Sequence, residues 1–226
     1  MLKRPPSQSI EDSSSDSESD PEEIFKARQD SVINDCFLGF FSSTVSCRNC
    51  GKSRTTTDAF SIVSLPIPST AAKEVCTLDR CLRFFSTLET LSAANMIDCN
   101  QCKTRVRGTK KLQLATLPRC LVLHLKRFSQ EGVRNVKCLA PIIFPLEGLD
   151  MAPYTSHGAS AVYDCVAVCC HHGNNSTSGH YTAFARRGGS WFHYNDASRP
   201  SQVDGGKVTS NEGLKDAYMI FYVKRD

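Results

Sequence analysis

The sequence predicts an α+β protein dominated by antiparallel sheet. Many segments alternate apolar and polar residues over short stretches, which is the pattern of half-buried strands, whereas one segment shows clear helical spacing. Two Cys-x-x-Cys pairs are the third observation, because such pairs are typical of metal-binding knuckles. At 226 residues, the chain is long enough for one sizeable domain and a tail.

Residues 1–30 are predicted to form a disordered, serine-rich acidic tail. This segment holds eight of the 23 acidic residues but only four of the 27 basic residues, and its central stretch has no apolar residue with which to build a core. The remainder, residues 31–226, is therefore more basic than the net charge of +4 suggests. Because aromatic residues do not interleave with its basic residues, we do not expect nucleic acid as a partner.

The chain is predicted to lie inside the cell, in the nucleus or the cytoplasm. No apolar run is long enough to span a bilayer, and the first residues lack the apolar core of a signal peptide, so no membrane association is expected. Twelve cysteines in such a chain indicate metal binding before disulfide formation.

The two Cys-x-x-Cys pairs predict one structural zinc site. Residues 37–47 have the pattern of a strand that leads into Cys47 and Cys50, and Cys99 and Cys102 follow after 48 intervening residues. Two knuckles together supply the four thiolates of a tetrahedral site, which leaves no open position for catalysis by the metal. The alternative is a set of four reduced thiols without a metal.

The one clear helical pattern follows residue 77. Thr77 is a candidate N-cap and Asp79 lies in the first turn. The apolar residues at helical spacing are Leu78, Cys81, Leu82, Phe85 and Leu88. Cys76 and Cys81 are expected to be small core residues and not metal ligands.

The second half of the chain is rich in predicted strands. Residues 111–114 and 120–128 are predicted to pair with each other, residues 162–172 to form a central strand, and residues 217–223 to close the sheet. His124 lies inside a strand and is expected to be structural. His171 and His172 point to opposite faces of their strand, so we do not expect them to share a metal.

A hairpin is predicted at Gly188 and Gly189, because both positions of a two-residue turn favour positive φ. Counting back from the turn brings Thr182 opposite Asn195. Since side chains alternate along a strand, His180 then shares a face with its diagonal neighbour Asn195. The amide can accept from one ring nitrogen and leave the other free as a base. The alternative is a His and an Asn bonded only to backbone groups.

The motifs around this hairpin resemble those of the ubiquitin-specific proteases. They are Gly-His-Tyr-Thr-Ala at 179–183, Asn-Asp at 195–196, Ala-Tyr-Met-Ile-Phe-Tyr at 217–222 and Leu-Pro-Arg-Cys-Leu-Val-Leu-His-Leu-Lys-Arg-Phe at 117–128. The resemblance covers about residues 31–226. It implies a cysteine-proteinase-like fold with zinc-bearing fingers at about 37–115 and a palm at about 116–226, and with the helical thumb largely missing.

The resemblance also implies roles for the residues of the site. His180 would be the general base, Asn195 would orient it, and Asp196 would be an accessory member that acts on the oxyanion or on a water. Gly179 and Tyr181 would contact the tail of ubiquitin. The zinc ion would be structural and would shape the surface of the fingers that grips ubiquitin.

The nucleophile of this family lies in a Gly-Asn-Thr-Cys-type stretch, and the sequence contains no such stretch. The nearest is Asn34-Asp35-Cys36, which lies only ten residues before Cys47 and is not followed by a helical pattern. We therefore do not expect Cys36 to be the nucleophile. The chain is either an incomplete product of a longer gene or a nonenzymatic derivative, and a separate chain could supply the thumb.

Three functions are compatible with these patterns. The first is a deubiquitinating cysteine hydrolase that releases ubiquitin from proteins, with this chain retaining the His/Asn half of the triad and inactive alone. The second is an inactive ubiquitin-binding or regulatory zinc module. The third is a zinc-ribbon protein that binds nucleic acid through its basic body, which the lack of stacking aromatics disfavours.

Overall fold

The computed structural model describes residues 31–69, 76–131, 134–158 and 160–226. The predicted acidic tail, residues 1–30, lies outside the described residues. In the part of the chain that is described, no helix is both long and apolar enough to cross a membrane.

Short strands account for most of the regular structure, as the alternating pattern predicts. The strands are β1 (Gly39–Cys47), β2 (Ser53–Phe60), β3 (Val63–Pro66), β4 (Cys76–Thr77), β5 (Glu89–Thr90), β6 (Ile97–Cys99), β7 (Thr104–Val106), β8 (Gly108–Thr116), β9 (Cys120–Lys126), β10 (Phe128–Glu131), β11 (Arg134–Lys137), β12 (Ile142–Ile143), β13 (Leu149–Asp150), β14 (Val162–His172), β15 (His180–Arg187), β16 (Ser190–Tyr194), β17 (Ser201–Val203) and β18 (Ala217–Lys224).

The helices are short by comparison. They are α1 (Val32–Phe37), α2 (Leu78–Phe85), α3 (Gly205–Val208) and α4 (Asn211–Asp216), with short 3-10 segments at Ala93–Asn95 and Ala152–Tyr154. The predicted α+β class with mostly antiparallel strands is confirmed.

A large sheet forms the centre of the molecule. Its strand order is β17-β16-β15-β14-β18-β9-β3, and β13 pairs with β14. All its pairs are antiparallel except that of β3 with β9. Buried side chains from its central strands, such as Leu123, Val168 and Ile220, build the core. The predicted central strand at residues 162–172 is therefore confirmed as β14.

A smaller sheet carries the first cysteine knuckle at its end. Its order is β2-β1-β8-β5, and β1 ends at Cys47 beside Gly108 of β8. The separate hairpin of β6 and β7 carries the second knuckle.

The predicted helix forms at Leu78–Phe85 with the expected cap. Thr77 Oγ1 accepts a hydrogen bond of 3.2 Å from the amide N–H of Arg80, and Cys76 and Cys81 are fully buried as predicted. The helix ends at Phe85, however, and Leu88 is 58% exposed, so its inclusion in the apolar stripe was wrong.

Three strand predictions need correction. The strand predicted at residues 37–47 begins only at Gly39, because Ser31 Oγ caps the short helix α1 over the preceding residues. The segments 111–114 and 120–128 do not pair, since β8 joins the small sheet and β9 the large one. Strand β18 does not close the sheet but lies between β14 and β9.

Candidate functional site

The hairpin that carries the candidate site has the register that the glycine pair predicts. Arg187 pairs with Ser190, and the ladder between β15 and β16 continues to the pair of Ala183 with Tyr194. Gly188 and Gly189 have φ values of 56° and 85°, which are the positive values that a two-residue turn of this kind requires.

Just beyond the last pair of this ladder, the structure brings His180 and Asn195 together. The Nε2 atom of His180 lies 2.6 Å from the amide Oδ1 of Asn195. The side chain of His180 is 45% exposed, so one edge of the ring is open to solvent. The expected meeting of an imidazole and a carboxamide at the open end of the hairpin is confirmed.

The hydrogen bond to Asn195 determines which ring nitrogen of His180 can act as a base. An amide oxygen only accepts, so Nε2 carries the proton and donates it to Asn195. In the neutral ring, Nδ1 then holds the free lone pair. Such an imidazole can take a proton from a nucleophile placed against Nδ1.

Asp196 lies on the Nδ1 side of the same ring. Its Oδ2 atom is 3.8 Å from Nδ1 of His180, and its side chain is 76% exposed. Asp196 adopts a positive φ of 46°, within a turn that the amide N–H of Ser198 closes by donating to the carbonyl of Asn195. The carboxylate is therefore placed beside the ring and not between His180 and Asn195.

Gly179 is required by the close approach of the end of β14. A side chain at this position would collide with the Nε2 atom of His171 and would lie 2.7 Å from the carbonyl oxygen of His172. The loop that leaves β14 therefore returns to His180 through a residue that has no Cβ.

Tyr181 rests on an aromatic cluster around the buried His171, on the opposite face of β15. Its ring centroid is 4.9 Å from that of His171, which also meets Phe128 edge-on at 5.2 Å and lies 6.2 Å from Tyr218. Burial of His171 holds its pKa below the usual value, because desolvation disfavours the charged ring. Tyr181 itself is 52% exposed and covers this cluster. No local sequence pattern indicates that His171 supports Tyr181.

A cavity of about 260 Å³ lies beside the His180–Asn195 pair. His172, Thr182 and His193 contribute to its wall together with the pair itself, and Lys207 and Glu212 bring charges of both signs. Nδ1 of His172 also forms a hydrogen bond with Asp216 close to this cavity, which sequence reasoning missed because the partners are 44 residues apart.

No cysteine of the described residues makes a polar contact with His180; Cys170 lines the same cavity, but it is buried and burial raises its pKa to about 12. Within the described ranges, the polar side-chain contacts of His180 are with Asn195 and Asp196. Cys36 lies instead against Cys120, whose pKa is raised by burial and by the nearby Cys36 thiol. Cys120 pairs with Val223, which pairs with Asp164.

That position places Cys36 at the far end of the large sheet. His180 pairs with His172, and the eight residue steps along β14 from Asp164 to His172 span about 26 Å. Cys36 therefore cannot reach His180 in this fold, in agreement with the sequence analysis.

The four cysteines of the two knuckles come together at the end of the small sheet. The sulfur atoms of Cys47, Cys50, Cys99 and Cys102 all lie within 4.8 Å of one another. The Sγ atoms of Cys47 and Cys102 are 3.8 Å apart, and those of Cys50 and Cys99 are 3.6 Å apart. Zn–S bonds of about 2.3 Å in a tetrahedron place the sulfurs about 3.8 Å apart, so the donor set fits one zinc ion.

The backbone of each knuckle favours a thiolate at its first cysteine, whereas neighbouring sulfurs raise the pKa of Cys102. The amide N–H of Cys102 lies 3.4 Å from Cys99 Sγ and donates to it, which lowers the pKa of Cys99 to about 6. The amide of Cys50 likewise lowers the pKa of Cys47. Four crowded thiolates repel one another unless a cation lies between them.

A family model and several known proteins match most of this chain. A family model described as "Ubiquitin carboxyl-terminal hydrolase" matches residues 8–222. Ubiquitin carboxyl-terminal hydrolase 3 of Mus musculus is 38% identical over 210 residues, which cover 86% of this chain and 39% of that protein. Ubiquitin carboxyl-terminal hydrolase 21 of Homo sapiens is 40% identical over 197 residues, which cover 86% of this chain and 34% of that protein.

A solved structure shares the fold. It is that of the SAGA Ubp8/Sgf11/Sus1/Sgf73 DUB module bound to ubiquitin aldehyde, with a TM-score of 0.74 and 31% sequence identity. The match covers 88% of this chain and 43% of the other. The chain thus spans between about a third and about a half of the proteins that it resembles.

Proposed function

The chain belongs to the ubiquitin carboxyl-terminal hydrolase family, and from this membership we propose that it supplies the base and the orienting amide of a thiol hydrolase site that releases ubiquitin from proteins. The observation that carries the proposal is the 2.6 Å contact between His180 Nε2 and Asn195 Oδ1. No described cysteine makes a polar contact with His180, and burial raises the pKa of Cys170 in the nearby cavity, so this chain alone is expected to be inactive.

In the proposed reaction, Nδ1 of His180 removes the proton from a cysteine thiol placed against it. The thiolate attacks the carbonyl carbon of the isopeptide bond between the ubiquitin C-terminus and a lysine. The protonated His180 then gives its proton to the departing lysine amine, which leaves a thioester. Water, deprotonated by the neutral His180, hydrolyses the thioester and restores the thiol.

Asn195 acts by fixing the ring of His180 during these steps. Its amide oxygen accepts from Nε2 whether or not Nδ1 is protonated, so the ring keeps its orientation through both proton transfers. Asp196, 3.8 Å from Nδ1, is proposed to stabilise the positive ring or to orient the attacking water.

The tail of ubiquitin is proposed to pass over Gly179 and Tyr181. Tyr181, the residue after His180, is half exposed and its ring rests on that of His171. Its exposed surface can therefore contact an extended peptide that leads to the reacting carbonyl. The absence of a side chain at Gly179 keeps the loop close to β14. Both features support a narrow path by which the ubiquitin tail would reach His180.

We assign one structural zinc ion to Cys47, Cys50, Cys99 and Cys102. The sulfur spacing supports this assignment, and with four thiolates around it the ion has no open position for water. When bound, the ion would tie the end of β1 to the β6–β7 hairpin. We propose a location in the nucleus or the cytoplasm, where thiols stay reduced and available to a metal.

The second candidate is a ubiquitin-binding module that does not cut. It is favoured because no described cysteine makes a polar contact with His180. A separate chain that carries the thumb and its nucleophile would convert such a module into an enzyme. The hydrolase and the binding module therefore differ in whether a nucleophile-bearing partner joins this chain.

Two measurements on the zinc-loaded chain test the proposal. Calorimetric titration with ubiquitin should give a saturable signal that Tyr181→Ala weakens and that Phe84→Ala, an exposed aromatic on α2, leaves unchanged. Hydrolysis of a ubiquitin fluorogenic amide by the chain alone should be undetectable. Turnover that Cys36→Ala abolishes would contradict the assignment, and a complete lack of ubiquitin binding would count against both candidates.

A further inference from the structure

A polar chain of four side chains runs from the interior of the molecule to the strand that carries His180. Lys137 on β11 donates a hydrogen bond of 2.8 Å to Oδ1 of Asp216 at the end of α4. The other oxygen of this carboxylate lies 3.0 Å from Nδ1 of His172. The opposite ring nitrogen, Nε2 of His172, lies 2.8 Å from Oγ1 of Thr182.

Lys137 and Asp216, the two inner members of this series of hydrogen-bonded side chains, have little or no exposed surface. The side chain of Lys137 has no exposed surface, and that of Asp216 is 17% exposed. Lys137 also donates to the carbonyl oxygen of His171, so it holds both the backbone of β14 and the carboxylate that faces His172. A buried ammonium and a partly buried carboxylate with these partners fix the position of the His172 ring.

His172 and His180 are direct neighbours across β14 and β15. Their Cα atoms are paired, and their rings lie 6.3 Å apart at an angle of 27° between planes. Thr182 is two residues after His180 and therefore on the same face of β15. The His180 ring thus bonds to Asn195 and lies beside the His172–Thr182 pair.

Resting on the proposed function of His180, we propose that His172 is a positioning residue for this base. The Asp216 carboxylate holds the proton of His172 on Nδ1, so Nε2 accepts the hydroxyl proton of Thr182 and fixes the start of β15. His180 is then restricted to the orientation in which Nε2 meets Asn195 and Nδ1 faces the nucleophile.

The proton positions make this proposal testable without any catalytic turnover. A carboxylate accepts only, which places the His172 proton on Nδ1, whereas the amide oxygen of Asn195 places the His180 proton on Nε2. Long-range 1H–15N correlation spectra of the histidine-labelled full chain distinguish the two tautomers. We expect the Nδ1–H form for His172, and the Nε2–H form with a slowly exchanging proton for His180.

Variants distinguish a role of His172 in positioning His180 from a role in folding. His172→Ala and Thr182→Val should remove the slowly exchanging Nε2–H signal of His180 while the backbone amide spectrum stays folded. Thr182→Ser keeps the hydroxyl and should retain that signal. His193→Ala is the matched control, since His193 lines the same cavity but packs on Phe184 and is not part of the polar chain.

The outcomes are distinct from those that test the function. An unchanged His180 signal in folded His172→Ala, or the Nε2–H tautomer at His172, would overturn the positioning role. Asp216→Asn should move the His172 proton from Nδ1 to Nε2, and failure to do so would also overturn it. If the unmodified chain does not bind ubiquitin, the proposed function is refuted, whereas the tautomer results for His172 and His180 are unaffected.

Discussion

The Nε atom of Arg127 donates a hydrogen bond of 2.6 Å to the carbonyl oxygen of Ala217, the first residue of β18. The same guanidinium donates to the carbonyls of Cys138, Ala140 and Leu214 at 2.7 to 2.9 Å. Arg127 is only 1% exposed, so it joins three segments in the interior that are far apart in sequence.

Replacing Arg127 with Lys should lower the free energy of unfolding by about 3 kcal/mol or more. A single ammonium cannot satisfy four carbonyls, and each buried acceptor left without a donor costs about 1–3 kcal/mol. Urea denaturation measures the loss. The control is Arg83→Lys, because Arg83 pairs with Asp79 on the surface and such pairs contribute about 0–1 kcal/mol. Equal losses in the two variants would contradict the assignment.

Replacing Gly179 with Ala should destabilise the chain by about 1–3 kcal/mol, the usual cost of forcing a group into packed space. The added methyl group would collide with the His171 ring and crowd the carbonyl of His172. Gly188→Asn is the control, since its position is open and Asn tolerates its φ of 56°. Thermal unfolding compares them, and a Gly179→Ala variant as stable as the control would refute this packing argument.

Purified under reducing conditions, the chain should carry about one zinc ion. Cys99→Ser should lose the metal and lower the unfolding temperature, because the β6–β7 hairpin is then no longer tied to β1. Cys36→Ser should keep the metal, as Cys36 lies away from the cluster. Metal analysis of the three proteins checks this, and zinc retained by Cys99→Ser would exclude the four-thiolate site.

The protein should become less stable as the pH falls below about 6.5, the usual pKa of an unfolded histidine. Burial lowers the folded-state pKa of His171 and, together with Lys126, that of His124. The unfolded chain therefore binds these protons first, which favours unfolding as the pH falls. Denaturation midpoints between pH 5 and 8 measure the slope. His124→Phe should make it shallower, and greater stability at pH 5 than at pH 7 would contradict the sign.

Local patterns in the sequence were sufficient for the features that depend on neighbouring residues. The turn at Gly188 and Gly189 determined the register of β15 and β16, and this register brought His180 to Asn195. The cap at Thr77 located the start of α2 in the same way.

Features that depend on distant segments were not predictable from such patterns. The pairing of β8 with β1 is set by packing across the small sheet, and alternation alone does not identify a partner. The polar chain through His172 joins Lys137, Asp216 and Thr182 from three other segments. No local spacing connects these residues, so only the fold shows their relationship.

The central claim, that His180 and Asn195 act as base and orienting amide, is tested most directly by a chimera. It would join an N-terminal segment that carries the Gly-Asn-Thr-Cys-type stretch expected for the family to residues 31–226 of this chain, with hydrolysis of a ubiquitin fluorogenic amide as the assay. We expect turnover that His180→Ala lowers by about 10²–10⁴-fold, that Asn195→Ala also lowers, and that His157→Ala at an exposed position leaves unchanged. A chimera that binds ubiquitin without cutting it, or whose turnover survives His180→Ala, would contradict the claim.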